Sequence, residues 1–382
     1  MTDWLIPLSG LEYDNAENEA VRRVLASQWL SMGAEVEAFE REFGALLKIP
    51  HVLAVANGTA ALHLAYLALG IGPGDEVIQP AINFVAAANT TLAVGATPVF
   101  ADIVGLDAPV IDPADIEKRI TPRTKAIVVM YYGGHVTHAA EIRRICRKHK
   151  VLLVEDACHA AGARYFDPDK RAPHGVMAGA IGDVSCFSFF SNKNIATGEG
   201  GALATSSDEI ALRLRRLRSH GMTTMTWDRH KGHAHSYDVV LNGFNYRMDE
   251  LHAALGRAQL QKLLSGNERR RSLTRLYREG LSDLKAWILP FHDYHGDSAG
   301  HLMVAVAPDN EARDRARVSL QEQRIQTSLH YPCVPDFTVF RGVAPGGLER
   351  ARDYARRAIT LPLWPSMTPD QVGLVCAALK SL

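Results

Sequence analysis

Between residues 52 and 205 short apolar runs alternate with helical patterns, and this alternation limits what the chain can fold into more than any other feature. "HVLAVA" leads into "TAALHLAYLALG", "DEVIQPA" into "NFVAAANTTLAVG", and "TPVFADI" into "DPADIEKRI". "TKAIVVMYY" then precedes "HAAEIRRICRKHK", and "VLLVEDA" precedes a loop. The runs are rich in Val, Ile and Leu and carry no polar alternation, so they read as strands covered on both faces, as in a parallel sheet between helices. The expected class is α/β, a mostly parallel sheet with flanking helices. From about residue 250 the pattern changes to the charged helices "MDELHAALGRAQLQKLL" and "NERRRSLTRLYREGL". A shorter α+β region follows, with "HLMVAVAP", "RIQTSLHYP" and the terminal helix "TPDQVGLVCAALK". This predicts a large domain over 1–248 and a smaller C-terminal α+β domain over 249–382, each long enough for a core of its own.

Charge and cysteines narrow the function classes. Lys plus Arg and Asp plus Glu number 42 each, so no net field favours nucleic acid or an anionic membrane. No apolar stretch is long enough to span a bilayer, and "MTDWLIPLSG" lacks the basic start and apolar run of a signal peptide. Cys146, Cys158, Cys186, Cys333 and Cys376 are scattered without a C-x-x-C pair, which argues against an iron–sulfur cluster or structural zinc. The expected setting is cytoplasmic, with reduced thiols. His230, His233 and His235 in "DRHKGHAHSYD" lack an acidic or Cys partner at ligand spacing and read as a polar loop, so no metal is expected.

One lysine stands apart. In "FSFFSNKNIATGEGG" Lys193 follows an aromatic, apolar run and precedes a glycine-rich turn, whereas other lysines sit in polar stretches such as "RKHK". If "FSFF" is a buried strand, Lys193 leaves it toward the interior, where burial depresses the amine's pKa, as Schiff-base chemistry needs. The plain alternative is a lysine that snorkels to water.

Ligands of open α/β sheets bind beyond the carboxyl ends of the strands, and other polar features fall at such ends. "VANGTAALHL" sets Asn57, Gly58 and Thr59 between a strand and a helix start, fit either for an anion or for an ordinary cap by Asn57 or Thr59. Asp156 ends the apolar "VLLVED", where a carboxylate needs a cation or hydrogen bonds, and His159 follows within reach of the same ligand; a capping Asp with an incidental His is the competing reading. Ser188 lies on the strand before Lys193, and Phe84 follows another strand end, where it could stack on an aromatic ring or belong to the core. A phosphate cradle, an aromatic plate, a buried carboxylate, a hydroxyl and an isolated lysine meet the needs of pyridoxal phosphate.

At this point the chain resembles the DegT-type sugar aminotransferases, fold type I enzymes that use pyridoxal phosphate. "GPGDEVIQPAINF", "TPRTKAI", "VEDACHAAGA", "CFSFFSNKNIATGEGGAL", "NGFNYRMDELHAALG", "NERRR" and "LHYP" carry the resemblance, in order and over nearly the whole length. It implies that Lys193 forms the Schiff base, Asp156 pairs with the pyridine nitrogen and His159 contacts the ring. Gly58, Thr59 and Ser188 would hold the phosphate. Asn245 would reach the cofactor of a neighbouring subunit in a homodimer with shared active sites, unless it caps its own helix. His330 and Tyr331 would lie near the substrate. The implied reaction moves an amino group from an amino acid, glutamate first among donors, to a keto sugar, nucleotide-linked in the leading version, by a ping-pong mechanism. A ketocyclitol or other keto acceptor is one alternative. Sugar dehydration is another, opposed by Lys193, since members doing that chemistry carry His there. Tyr131, Val136, His138 and Pro335 depart from the family pattern, and the "FDPDKRAPHGVMAG" loop is longer than typical. These departures are expected where the substrate is touched.

Overall fold

The protein is described from a computed structural model covering residues 4–166, 175–224, 232, 236–343 and 346–381. His230, His233 and His235, and most of the "FDPDKRAPHGVMAG" loop, lie outside the described residues.

The described residues build a seven-stranded central sheet from β1 (His51–Val55), β2 (Glu76–Pro80), β3 (Thr97–Ala101), β4 (Thr124–Met130), β5 (Leu152–Asp156), β6 (Val184–Ser188) and β7 (Gly201–Thr205), in the spatial order β1-β7-β6-β5-β4-β2-β3. All neighbours are parallel except β7, which runs antiparallel to both β1 and β6. The apolar runs behave as their composition requires. Val128, Val154 and Cys186 enter one buried cluster, while Val129, Leu153 and Phe187 enter another on the opposite face.

Helices α1 (Asn15–Ser27), α2 (Ala34–Leu47), α3 (Gly58–Ala68), α4 (Ala86–Ala93), α5 (Pro113–Arg119), α6 (Ala139–His149) and α7 (Asp208–Leu217) surround the sheet. On α2, Phe39 and Phe43 pack edge-on against Phe187 and Phe189. That packing fixes which way "FSFF" faces: the two phenylalanines are fully buried, and Ser188 between them must point to the other side.

The two charged helices expected after residue 250 form a single 31-residue helix, α8 (Glu250–Gly280), capped by the Asp249 side chain on the His252 amide. It runs through Ser265 and Gly266 because packing on either side outweighs the roughly 1 kcal/mol that glycine costs in a helix. Near its start, Ala254 packs with Ala20 and Val24 of α1, and Leu263 joins the sheet's core. Near its end, Leu273 and Tyr277 belong to the core of the C-terminal region. There an antiparallel pair, β8 (Met303–Val306) and β9 (Ala358–Leu361), packs with α9 (Asn310–Glu322), α10 (Glu349–Arg357) and α11 (Pro369–Lys380). Ile6 enters this core and bridges Ile325, so the start of the described chain lies with its C-terminal third.

Candidate active site

Strand register assembles the site. Val55 pairs with Gly201 and Gly201 with Ser188, while Cys186, two residues earlier on β6, pairs with Asp156 and Asp156 with Met130, so the register sets the carboxyl ends of β1, β6, β5 and β4 side by side. A cavity of about 790 Å³ lies over these ends, and Gly58, Thr59, Phe84, Asp156, His159, Ser188, Lys193, His330 and Tyr331 all line it. Asn245 does not line it and is exposed on the surface. The helix-cap alternative for Asn245 does not hold, because Asp249 caps α8.

The turn after β1 is shaped for close approach. Asn57 caps α3, its side chain accepting from the Ala60 amide at 2.8 Å. Gly58 and Thr59 follow as the first residues of the helix, where backbone N–H groups have no partner within the helix. A Cβ on Gly58 would lie 2.9 Å from Ser188 Cβ and 3.3 Å from Cys158 Sγ; one on Gly201 would lie 2.6 Å from the Asn57 carbonyl. The two glycines thus let the helix start, Ser188 and the first residue of β7 crowd together.

Asp156 is buried at the end of β5. Its carboxylate receives two long hydrogen bonds, from Asn83 Nδ2 at 3.4 Å and the Cys158 amide at 3.3 Å, and forms no ion pair among the described residues. A buried carboxylate served this thinly is matched to a cationic partner in the cavity. Its neighbour Glu155, also buried, is saturated instead. It accepts from Tyr131 Oη at 2.7 Å, Ser185 Oγ at 2.9 Å and the amides of Gly179, Ile181 and Gly182.

Lys193 is placed by a turn in which its amide donates to the Phe190 carbonyl at 2.8 Å. Burial lowers the pKa of its amine, with Cys158 and Asp156 opposing the shift. Its Nζ stands 3.5 Å from Nε2 of His301. His159 is 3% exposed, and burial, then the Lys193 charge, holds its pKa well below the ordinary imidazole value. Its Nε2 is 2.8 Å from Tyr331 Oη, while its Nδ1 is buried without a partner. Phe84, 55% exposed, lies across the cavity mouth with its ring 6.0 Å from that of Tyr331. His330 is lowered to about 4 by burial and Lys193, and its Nδ1 is 3.0 Å from Thr360 Oγ1.

The residues that depart from the family pattern lie elsewhere. In this chain none of Tyr131, Val136, His138 and Pro335 lines the Lys193 cavity. Tyr131 and Val136 are core residues, the first held by Glu155. Val136 and His138 instead border a separate cavity that Phe291 and Tyr294 also line. The departure at Tyr131 therefore answers to packing. Sequence reading missed Asn83, Asn194 and His301. Asn194 sits beside Lys193 and could have been noticed, whereas His301 precedes an apolar strand and carries no local sign of a site.

The arrangement fits pyridoxal phosphate: an N-terminal helix turn and hydroxyl for the phosphate, a buried carboxylate for a protonated ring nitrogen, an unpartnered imidazole nitrogen, and a lysine amine of lowered pKa. The comparisons with known proteins agree. The DegT/DnrJ/EryC1/StrS aminotransferase family matches residues 12–380. The spore coat polysaccharide biosynthesis protein SpsC of Bacillus subtilis is 37% identical, over 99% of this chain and 96% of its own. Among solved structures, DesV of S. venezuelae, in complex with a ketimine intermediate, superposes with a TM-score of 0.88 at 36% identity, covering 98% of each chain. DesI in the presence of its TDP-sugar product gives a TM-score of 0.86 at 29% identity, covering 100% of this chain and 93% of the other. The chain belongs to the DegT/DnrJ/EryC1/StrS aminotransferase family, whose members are pyridoxal-phosphate-dependent aminotransferases.

Proposed function

We propose that this aminotransferase moves an amino group from an amino acid, with glutamate the first donor to try, onto a keto sugar carried by a nucleotide. The observation that carries the reading is Lys193, a half-buried lysine whose amine has a lowered pKa, standing in one cavity with the thinly bonded Asp156. Bound pyridoxal phosphate supplies a carbonyl that takes up the amino group and a ring that withdraws electrons. Lys193 holds the cofactor through Nζ and, once released, carries a proton between donor and acceptor positions. Asp156 keeps the ring nitrogen protonated. Gly58, Thr59 and Ser188 bind the phosphate, His159 and Phe84 bound the ring, and His330 and Tyr331 face the acceptor. Asn245, exposed and outside its own cavity, is offered to a second copy in a homodimer.

A sugar acceptor is supported by the polysaccharide biosynthesis in SpsC's name, and a nucleotide carrier by the TDP-sugar product in whose presence DesI was analysed. No described helix is long and apolar enough to cross a membrane, in keeping with the cytoplasmic setting we propose. Because one lysine and one cavity would serve both donor and acceptor, the two substrates would be handled in turn, in two half-reactions of a ping-pong mechanism. The test has two stages. Donor alone should convert the cofactor's absorption from its aldehyde to its amine form. Nucleotide-linked keto sugars, free keto sugars and ketocyclitols are then screened for an aminated product by mass spectrometry. An enzyme that aminates only ketocyclitols overturns the proposed acceptor; one that never takes nitrogen from any common amino acid overturns the donor half-reaction.

A further inference from the structure

The contact between Lys193 and His301 has a defined hydrogen-bond polarity. His301 is 7% exposed and sits just before β8, 108 residues from the lysine. Its Nδ1 is 3.0 Å from Oδ1 of Asn194. The amide nitrogen of Asn194 is committed as a donor, to Asn267 Oδ1 at 2.7 Å and the Ala299 carbonyl at 2.8 Å. Asn267 in turn donates from Nδ2 to the Ala161 carbonyl at 2.9 Å, which fixes the sense of its own amide. Asn194 Oδ1 can therefore only accept, so Nδ1 of His301 must carry the hydrogen. A neutral ring protonated at Nδ1 has a bare lone pair at Nε2, and that nitrogen is the one 3.5 Å from Lys193 Nζ.

We propose that His301 is a positioning residue for Lys193, a neutral imidazole whose tautomer is locked by the Asn194–Asn267 relay so that Nε2 accepts a hydrogen bond from the amine. The groups around the ring favour neutrality. Burial, and then Lys193, His330 and Arg270, oppose a charge on His301, His159 packs beside it with ring centroids 4.2 Å apart, and Asn194 supplies only an acceptor. An acceptor so fixed does two things. It stabilises the ammonium form of Lys193 against the burial that lowers its pKa, and it restricts the rotamers of a side chain with four free torsions. Both follow from geometry alone, because a lone pair attracts an N–H from either the charged or the neutral amine but more strongly from the charged one.

The inference rests on the reading that Lys193 is the cofactor lysine, so that reading is checked first. Reduction of the cofactor-loaded wild type with borohydride, then peptide mapping, should find the cofactor on Lys193; a tag elsewhere defeats the reading and the inference with it. Next, wild type, His301→Leu and His301→Gln are freed of cofactor, and the rate of Lys193 acylation is followed against pH by mass spectrometry. His301→Leu, which has the bulk but no acceptor, should shift the labelling midpoint to lower pH. His301→Gln, whose carbonyl can replace the Nε2 lone pair, should restore it toward wild type. Circular dichroism and melting of each variant show that it is folded, and if the leucine variant is not, wild type is compared with His301→Gln and His301→Ala. A midpoint that does not move on loss of the acceptor, or that moves equally with glutamine, overturns the proposal while the tag on Lys193 stands.

Discussion

Gly58→Ala tests the phosphate cradle most directly, because its consequence can be worked from two distances. The added methyl would lie 2.9 Å from Ser188 Cβ and 3.3 Å from Cys158 Sγ. Carbon atoms pack best at about 3.5–4.0 Å, so the first contact is short by roughly 0.6 Å or more. Neither side yields easily. Ser188 is paired to Gly201 of β7, and the helix start is held by the Asn57 cap. Overpacking of this kind costs about 1–3 kcal/mol of stability. Displacing the helix start also removes one or two charge-assisted bonds to a phosphate, each worth about 1.5–3 kcal/mol, which weakens cofactor binding about 10- to 100-fold or more. The second-site variant separates the two effects. Ser188→Gly removes the clashing Cβ and should restore much of the stability lost in Gly58→Ala, while Ser188→Ala keeps that carbon and should not. Ser188→Gly leaves cofactor affinity low, since it deletes the hydroxyl. Denaturant melts of the cofactor-free proteins and spectrophotometric titration with pyridoxal phosphate read both quantities. If Gly58→Ala binds the cofactor within about twofold of wild type, the phosphate does not sit at this helix start.

Three further outcomes are expected. Asp156→Asn keeps the shape of the site but removes the charge for the ring nitrogen, so donor-driven conversion of the cofactor should slow by a hundredfold or more, on the order of 3 kcal/mol; single-turnover absorbance measures this, and an unchanged rate refutes the pairing. His135, stacked on Phe291 at 3.9 Å between ring centroids, has its pKa lowered to about 3 by burial. The unfolded chain therefore takes up this proton first, and His135 lowers stability progressively as pH falls from about 6.5 to about 3, by roughly 1.4 kcal/mol per unit. Urea melts of wild type and His135→Phe at pH 7 and pH 5 should show a shallower fall in the variant; equal slopes would refute it. Mixing Lys193→Ala chains with chains carrying Asn245→Ala, under conditions of subunit exchange, should restore activity, because one site in each mixed dimer then combines both native residues. A mixture as inactive as its parents, with exchange demonstrated, defeats the shared site.

What the sequence determined by itself is local or periodic. Unbroken apolar runs announced strands covered on both faces, because burial on two sides admits a polar residue such as Glu155 only where it is fully hydrogen-bonded. Asn57, Asp156 and Lys193 could be singled out because each sits at an end of such a run, where a polar group needs a reason. Tertiary structure alone decided how these residues meet. The crowding of Gly58, Ser188 and Gly201 depends on strand register, which no single segment encodes. The continuity of α8 across Ser265 and Gly266 depends on the cores that hold its two halves. Tyr131 lies at a position where the family pattern suggested substrate contact, yet its hydroxyl is bound by Glu155 inside the core. His301 reaches Lys193 only because α8 presents Asn267 to Asn194 and the chain before β8 returns past both. A residue type can be read from the chain, but its tautomer and the direction of its hydrogen bond are set by neighbours a hundred residues away.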